Sequence, residues 1–182
     1  MTGWFAAVNG WQLLAAVLGA AAIHEGGHWL ALRLLGAKIL GLRIGVLGAV
    51  LETDSRSLSY GGELIAVLAG PGANLAAALV LTALDQEMLA GAHLVLGAFN
   101  LLPVRPLDGG RALYLAVSWA LGPAAGERLT RWAGFTAALA LAVCLGWVME
   151  RTGGSLWLLP ALLGLLAAAG REALRPESVG NL

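Results

Sequence analysis

Long apolar runs separated by short polar breaks make up most of this chain. The first run extends from about Trp11 to Leu35, and at about 1.5 Å per residue a helix of this length crosses roughly 30 Å of hydrocarbon. Similar runs predict helices over about 62–84, 88–102, 111–121, 129–149 and 155–169. Residues 38–60 differ, because short apolar pieces alternate with glycines and polar residues, a pattern typical of a β-hairpin or small sheet.

Composition places these runs in a membrane. Hydrophobic residues are 59% of the 182 positions and charged residues only 12%, which excludes an ordinary soluble domain. We therefore predict an all-α polytopic membrane protein with about five to six transmembrane helices and a small membrane-associated β-hairpin after the first helix. The lipid bilayer is then one partner. No basic tract is interleaved with aromatic residues, so we expect no nucleic acid partner.

The first apolar run contains His24, Glu25 and His28. Residues four apart leave the same face of a helix, so both imidazoles can bind one metal ion, as in the H-E-x-x-H arrangement of zinc hydrolases. Glu25 is then close enough to act as the catalytic base on a water molecule activated by Zn2+. The alternative is a pair of histidines satisfied by neighbouring helices, although ionisable residues inside membrane helices usually mark function. Gly26 and Gly27 would leave room for a substrate backbone.

A catalytic zinc ion generally takes three protein ligands. Asp108 follows a helix broken by Pro103 and Pro106, and an acid within such a membrane segment needs a partner. We prefer Asp108 to Glu52, which belongs to the hairpin. Other candidates for the third ligand are Asp54, Glu63 and His93, the last of which we interpret as interfacial.

Two amides complete the set of candidate site residues. Asn74 follows Pro71 in the second long run, and Asn100 begins the broken segment before Asp108. Either amide could bind substrate or donate to the oxyanion of a peptide under attack. A hydrogen bond between helices is the alternative role for Asn74.

Basic residues predict how the chain lies in the membrane. With the N-terminus outside and the C-terminus cytoplasmic, all but Arg151 of the 11 lysines and arginines fall on the inner side. Such a bias is typical of multi-pass proteins of the cell membrane. It also brings the histidines and Asp108 to the inner half of the bilayer, so a substrate would be cleaved there.

Three segments, His24–His28, Gly70–Asn74 and Asn100–Gly109, together resemble the site-2 protease family of intramembrane zinc metalloproteases. The resemblance implies that His24, His28 and Asp108 bind zinc and that Glu25 is catalytic. It also implies a membrane-associated protein substrate and regulated proteolysis. Within the family the chain is most similar to the branch of stage IV sporulation protein FB, which implies a sigma-factor precursor as substrate.

The domain organisation follows from the resemblance. Residues 1–170 are expected to form a single transmembrane metalloprotease domain with its motifs in 23–110, and 171–182 a polar C-terminal tail. No segment has the length of a nucleotide-sensing or peptide-binding domain, so regulation is expected from an inhibitory membrane partner or from substrate access. The alternative function is a catalytically silent or transport-type metal-binding membrane protein. A transporter would be expected to show paired repeats, and the sequence has none.

Overall fold

The computed structural model describes residues 10–45, 48–54 and 58–151, together with 163–164, 166–167 and 170. The described elements follow the order of the apolar runs. They are α1 (Trp11–Leu34), β1 (Lys38–Gly45), β2 (Gly48–Asp54), α2 (Tyr60–Ala83), α3 (Glu87–Asn100), α4 (Asp108–Leu121) and α5 (Pro123–Arg151). The run predicted over 155–169 lies largely outside the described residues, and the tail 171–182 lies wholly outside them.

The segment after α1 forms two antiparallel strands. Lys38 lies opposite Asp54 and Gly45 opposite Gly48, with an irregularity in register between Ile39 and Gly41. An irregularity of this kind bends the strand and increases its twist. The side chains of these strands lie outside the described part of the structure, so the candidacy of Glu52 and Asp54 as metal ligands stays a prediction.

The chain divides into two compact units, Met1–Leu101 and Leu102–Leu182. In the first unit, α1 packs against both α2 and α3, which also pack against each other. A Cβ atom at Gly27 would lie 2.6 Å from the carbonyl oxygen of Ala69, so the missing side chain permits the close approach of α1 to α2. The expectation that Gly27 leaves room for a substrate is therefore wrong, because a neighbouring helix fills that space.

Two residues shape α2: Ser59 caps its start, and Pro71 interrupts its hydrogen bonding. The Ser59 hydroxyl accepts a hydrogen bond from the Gly62 N–H at 3.2 Å and caps the helix at its start. Pro71 lies inside the helix and is buried. Because proline has no N–H, the carbonyl of Val67 loses its usual helical donor at this point.

The second unit is built on α4 and α5, which pack together. The loop before α4 is fastened to both helices through Arg105. Its guanidinium donates two hydrogen bonds of 2.9 Å to the carboxylate oxygens of Glu127 and lies 5.3 Å from the ring centroid of Tyr114. The ion pair therefore fixes the loop that leads directly into Asp108, the first residue of α4.

Two of the described helices, α2 and α5, are long and apolar enough to cross a membrane. That criterion concerns length and composition alone. The number of crossings therefore stays a prediction.

Candidate metal centre

His24 and His28 lie one turn apart on α1 with their Nε2 atoms 3.2 Å apart. The rings meet edge to face at an interplanar angle of 85°. Two imidazole nitrogens on one tetrahedral zinc ion, each about 2.0–2.1 Å from the metal, are separated by about 3.3 Å. The pair therefore has the spacing that a single zinc ion requires.

The orientation of His28 is fixed by α2. Its Nδ1 lies 2.8 Å from the backbone carbonyl oxygen of Ala66. Because a carbonyl oxygen can only accept, Nδ1 carries a proton, and a ring with this single N–H keeps its lone pair on Nε2, which faces His24. The ring occupies the space where Gly70 has no side chain, since a Cβ atom at Gly70 would overlap the imidazole. Helix α2 thus selects the tautomer of His28 that can bind a metal.

His24 is held by a second contact with α2. Its Nδ1 lies 3.2 Å from the amide nitrogen of Asn74, and the amide oxygen of Asn74 lies 3.0 Å from Nδ1 of His93 on α3. The three side chains are 5%, 0% and 6% exposed, respectively. The interpretation of His93 as interfacial is therefore wrong: packing of α3 against α1 and α2 buries it inside the first unit.

Asp108 is the first residue of α4, where the positive end of a helix favours a carboxylate. Asp108 lies in the second unit and the two histidines in the first, so Asp108 as the third metal ligand stays a prediction. Two imidazoles and one carboxylate are donors that zinc accepts. Among the described residues, neither Glu63 nor His93 groups with the two histidines as a metal ligand.

The remaining predicted residues occupy different surroundings. Glu25 is half-buried on α1. The amide of Asn100 donates to the carbonyl of Leu96 in its own helix at 3.1 Å. The contact of His93 with Asn74 was missed from the sequence. The sequence feature that could have indicated this contact is a third histidine in an apolar run, since the preceding apolar run contains the amide of Asn74.

Membrane-type helices and a histidine pair with the spacing that zinc requires are typical of membrane metalloproteins, and comparisons with known proteins narrow the possible families. No family model matches the chain. The chain is 31% identical over 121 residues to a zinc metalloprotease of Methanocaldococcus jannaschii, with 59% of this chain and 35% of that protein covered. It thus spans about a third of the length of this curated relative.

The solved structure of a site-2 protease from Methanocaldococcus jannaschii has the same fold. The TM-score is 0.63 at 25% identity, with 93% of this chain and 81% of that chain covered. Together these relatives support the site-2 protease family and a membrane location. Neither is described as a stage IV sporulation protein FB, so that branch stays a prediction.

Proposed function

We propose that this chain is an intramembrane zinc metalloendopeptidase that cleaves a membrane-associated protein within or near the inner half of the bilayer. The observation that carries the proposal is the pair of Nε2 atoms of His24 and His28, 3.2 Å apart and beside Glu25 on the same helix. The relatives named as a zinc metalloprotease and a site-2 protease support the same chemistry.

The residues divide the work between metal binding and proton transfer. His24, His28 and Asp108 would hold the zinc ion. When bound, zinc supplies Lewis acidity that polarises a peptide carbonyl and activates water. The Glu25 carboxylate takes a proton from the attacking water and returns it to the leaving amine. Asn100 is the asparagine to which we assign substrate binding or stabilisation of the oxyanion. Asn74 is less suited to that role, because its amide already contacts two histidines.

The proposed setting is a multi-pass protein of the cell membrane, with its N-terminus outside and its C-terminus in the cytoplasm. The distribution of lysine and arginine supports this orientation. The proposed process is regulated proteolysis, controlled by an inhibitory membrane partner. A sigma-factor precursor of sporulation is the first substrate to test, and it rests on the sequence resemblance alone.

Cleavage of membrane-tethered candidate substrates tests the proposal when they are co-produced with either the wild-type protein or Glu25→Gln. General base catalysis is worth about 100- to 10,000-fold in rate, so cleavage should fall by that factor in the variant. Zinc content should stay the same, because Glu25 binds no metal in this scheme. Equal cleavage by both proteins would assign the activity to another protease. A wild-type protein that binds no zinc would favour the non-enzymatic alternative.

A further inference from the structure

The polar contacts around His24 form one continuous chain, in which two contacts are buried and two are part-buried. It runs from His93 Nδ1 to Asn74 at 3.0 Å, from Asn74 to His24 Nδ1 at 3.2 Å, and from His24 Nε2 to His28 Nε2 at 3.2 Å. It ends at the Ala66 carbonyl, 2.8 Å from His28 Nδ1. Because that carbonyl only accepts, the last donor in the chain is fixed.

Two directions of donation satisfy the remaining contacts. In the first, His93 Nδ1–H donates to the oxygen of Asn74, the Asn74 amide donates to His24 Nδ1, and His24 Nε2–H donates to His28 Nε2. Each of these contacts then joins one donor to one acceptor, and each of the three imidazoles carries one N–H. In this direction, however, His24 Nε2 carries a proton and offers no lone pair to a metal.

The second direction requires a half-turn of the Asn74 amide, which exchanges its oxygen and nitrogen. His24 Nδ1–H then donates to the oxygen, and the amide nitrogen donates to an unprotonated Nδ1 of His93. His24 and His28 now point two lone pairs at each other across 3.2 Å, an arrangement that a shared cation stabilises. Metal binding and the direction of the chain are therefore coupled.

We propose that zinc binding selects the second direction, so that the Asn74 amide turns and the ring proton of His93 moves from Nδ1 to Nε2. This inference rests on the proposed zinc site. Each imidazole keeps one N–H proton, and the proton lost from one ring nitrogen is replaced on the other, so the net charge of the three histidines does not change. Asn74 and His93 are then positioning residues that act through His24, and neither touches the metal.

The tautomer of His93 is the direct readout. The chain has three histidines, so 15N-histidine labelling of the detergent-solubilised protein gives a simple spectrum in which a His93→Phe variant identifies the signals of His93. We expect protonated Nδ1 in chelator-treated protein and protonated Nε2 after zinc loading. The same His93 tautomer in both samples would overturn the inference.

Two substitutions at Asn74 separate the coupling from a purely structural role. Asn74→Asp offers two acceptor oxygens, so His93 should keep its Nδ1 proton with and without zinc while the metal still binds. A zinc-dependent change of His93 in this variant would also overturn the inference. Asn74→Leu removes the amide that contacts His24 Nδ1 and should weaken zinc binding about 10- to 100-fold. Thr130→Val is the matched control: it removes another fully buried polar group, in the second unit, and should leave zinc affinity unchanged.

These outcomes can be told apart from failure of the proposed function. A zinc-dependent tautomer change without proteolysis would support the inference and argue against the protease. Zinc binding without the change would overturn the inference alone. A wild-type protein that binds no zinc would overturn both.

Discussion

At the scale of single residues, the metal centre depends on what α2 lacks as much as on what it provides. The Ala66 carbonyl orients the His28 ring, and the absent side chain of Gly70 makes room for it. Gly72 lies two residues further along the same helix, is exposed, and would place a Cβ atom in open space. The two glycines therefore offer a matched comparison.

We expect Gly70→Ala to weaken zinc binding by about 10-fold or more, because the new methyl group displaces His28 from its hydrogen bond to Ala66. Gly72→Ala should leave zinc affinity unchanged and stabilise α2 by about 0.5–1 kcal/mol, since alanine is the better helix former. Competition with a chromophoric chelator measures the affinity of both variants. Wild-type affinity in Gly70→Ala would show that His28 does not need this space.

At the scale of elements, an ion pair between Arg105 and Glu127 stabilises the short loop between α3 and α4. Arg105 and Glu127 are only 18% and 25% exposed at their side chains and meet through two parallel hydrogen bonds. Such bidentate pairs add geometric specificity to their attraction. The pair joins the loop that precedes Asp108 to the first turns of α5.

A double-mutant cycle measures the interaction energy between Arg105 and Glu127. Arg105→Gln and Glu127→Gln should each lower the free energy of unfolding by about 1–3 kcal/mol, because each removes one charge of the bidentate pair at a partly buried position. The double variant should lose at least about 0.5 kcal/mol less than the sum of the single losses. Thermal unfolding in detergent, followed by tryptophan fluorescence, gives the comparison. Strictly additive losses would mean that the two side chains do not stabilise the loop together.

At the scale of the whole molecule, the prediction concerns orientation in the membrane. Gln86 and Arg128 are both exposed, and the charge distribution predicts that Gln86 lies outside and Arg128 inside. Single-cysteine variants at these positions, built on Cys144→Ala because Cys144 is the only cysteine, can be labelled with an impermeant thiol reagent on intact cells. Label should reach position 86 directly and position 128 only after permeabilisation. The reverse pattern would invert the proposed topology and move cleavage to the outer half of the bilayer.

The sequence by itself determined features that depend on neighbours along the chain. The helix predicted over 62–84 spans Tyr60–Ala83 in the structure, and the helix predicted over 88–102 spans Glu87–Asn100. These helices were predictable because the length and hydropathy of an apolar run are local properties of the sequence. The approach of His24 and His28 was equally predictable, since residues four apart on a helix share a face. Two helix starts were missed. The helix predicted from 111 begins at Asp108, a residue type favoured in a first helical turn, and the helix predicted from 129 begins at Pro123.

Only the tertiary structure decided which helix faces meet. Helices α1 and α2 are apolar around most of their circumference, so no polar stripe in the sequence distinguishes the inward face. For that reason the sequence could not show that Gly27 contacts Ala69, or that the amide of Asn74 lies between His24 and His93. The metal-binding pair came from helical periodicity, whereas the groups that orient the pair came from the packing of three helices.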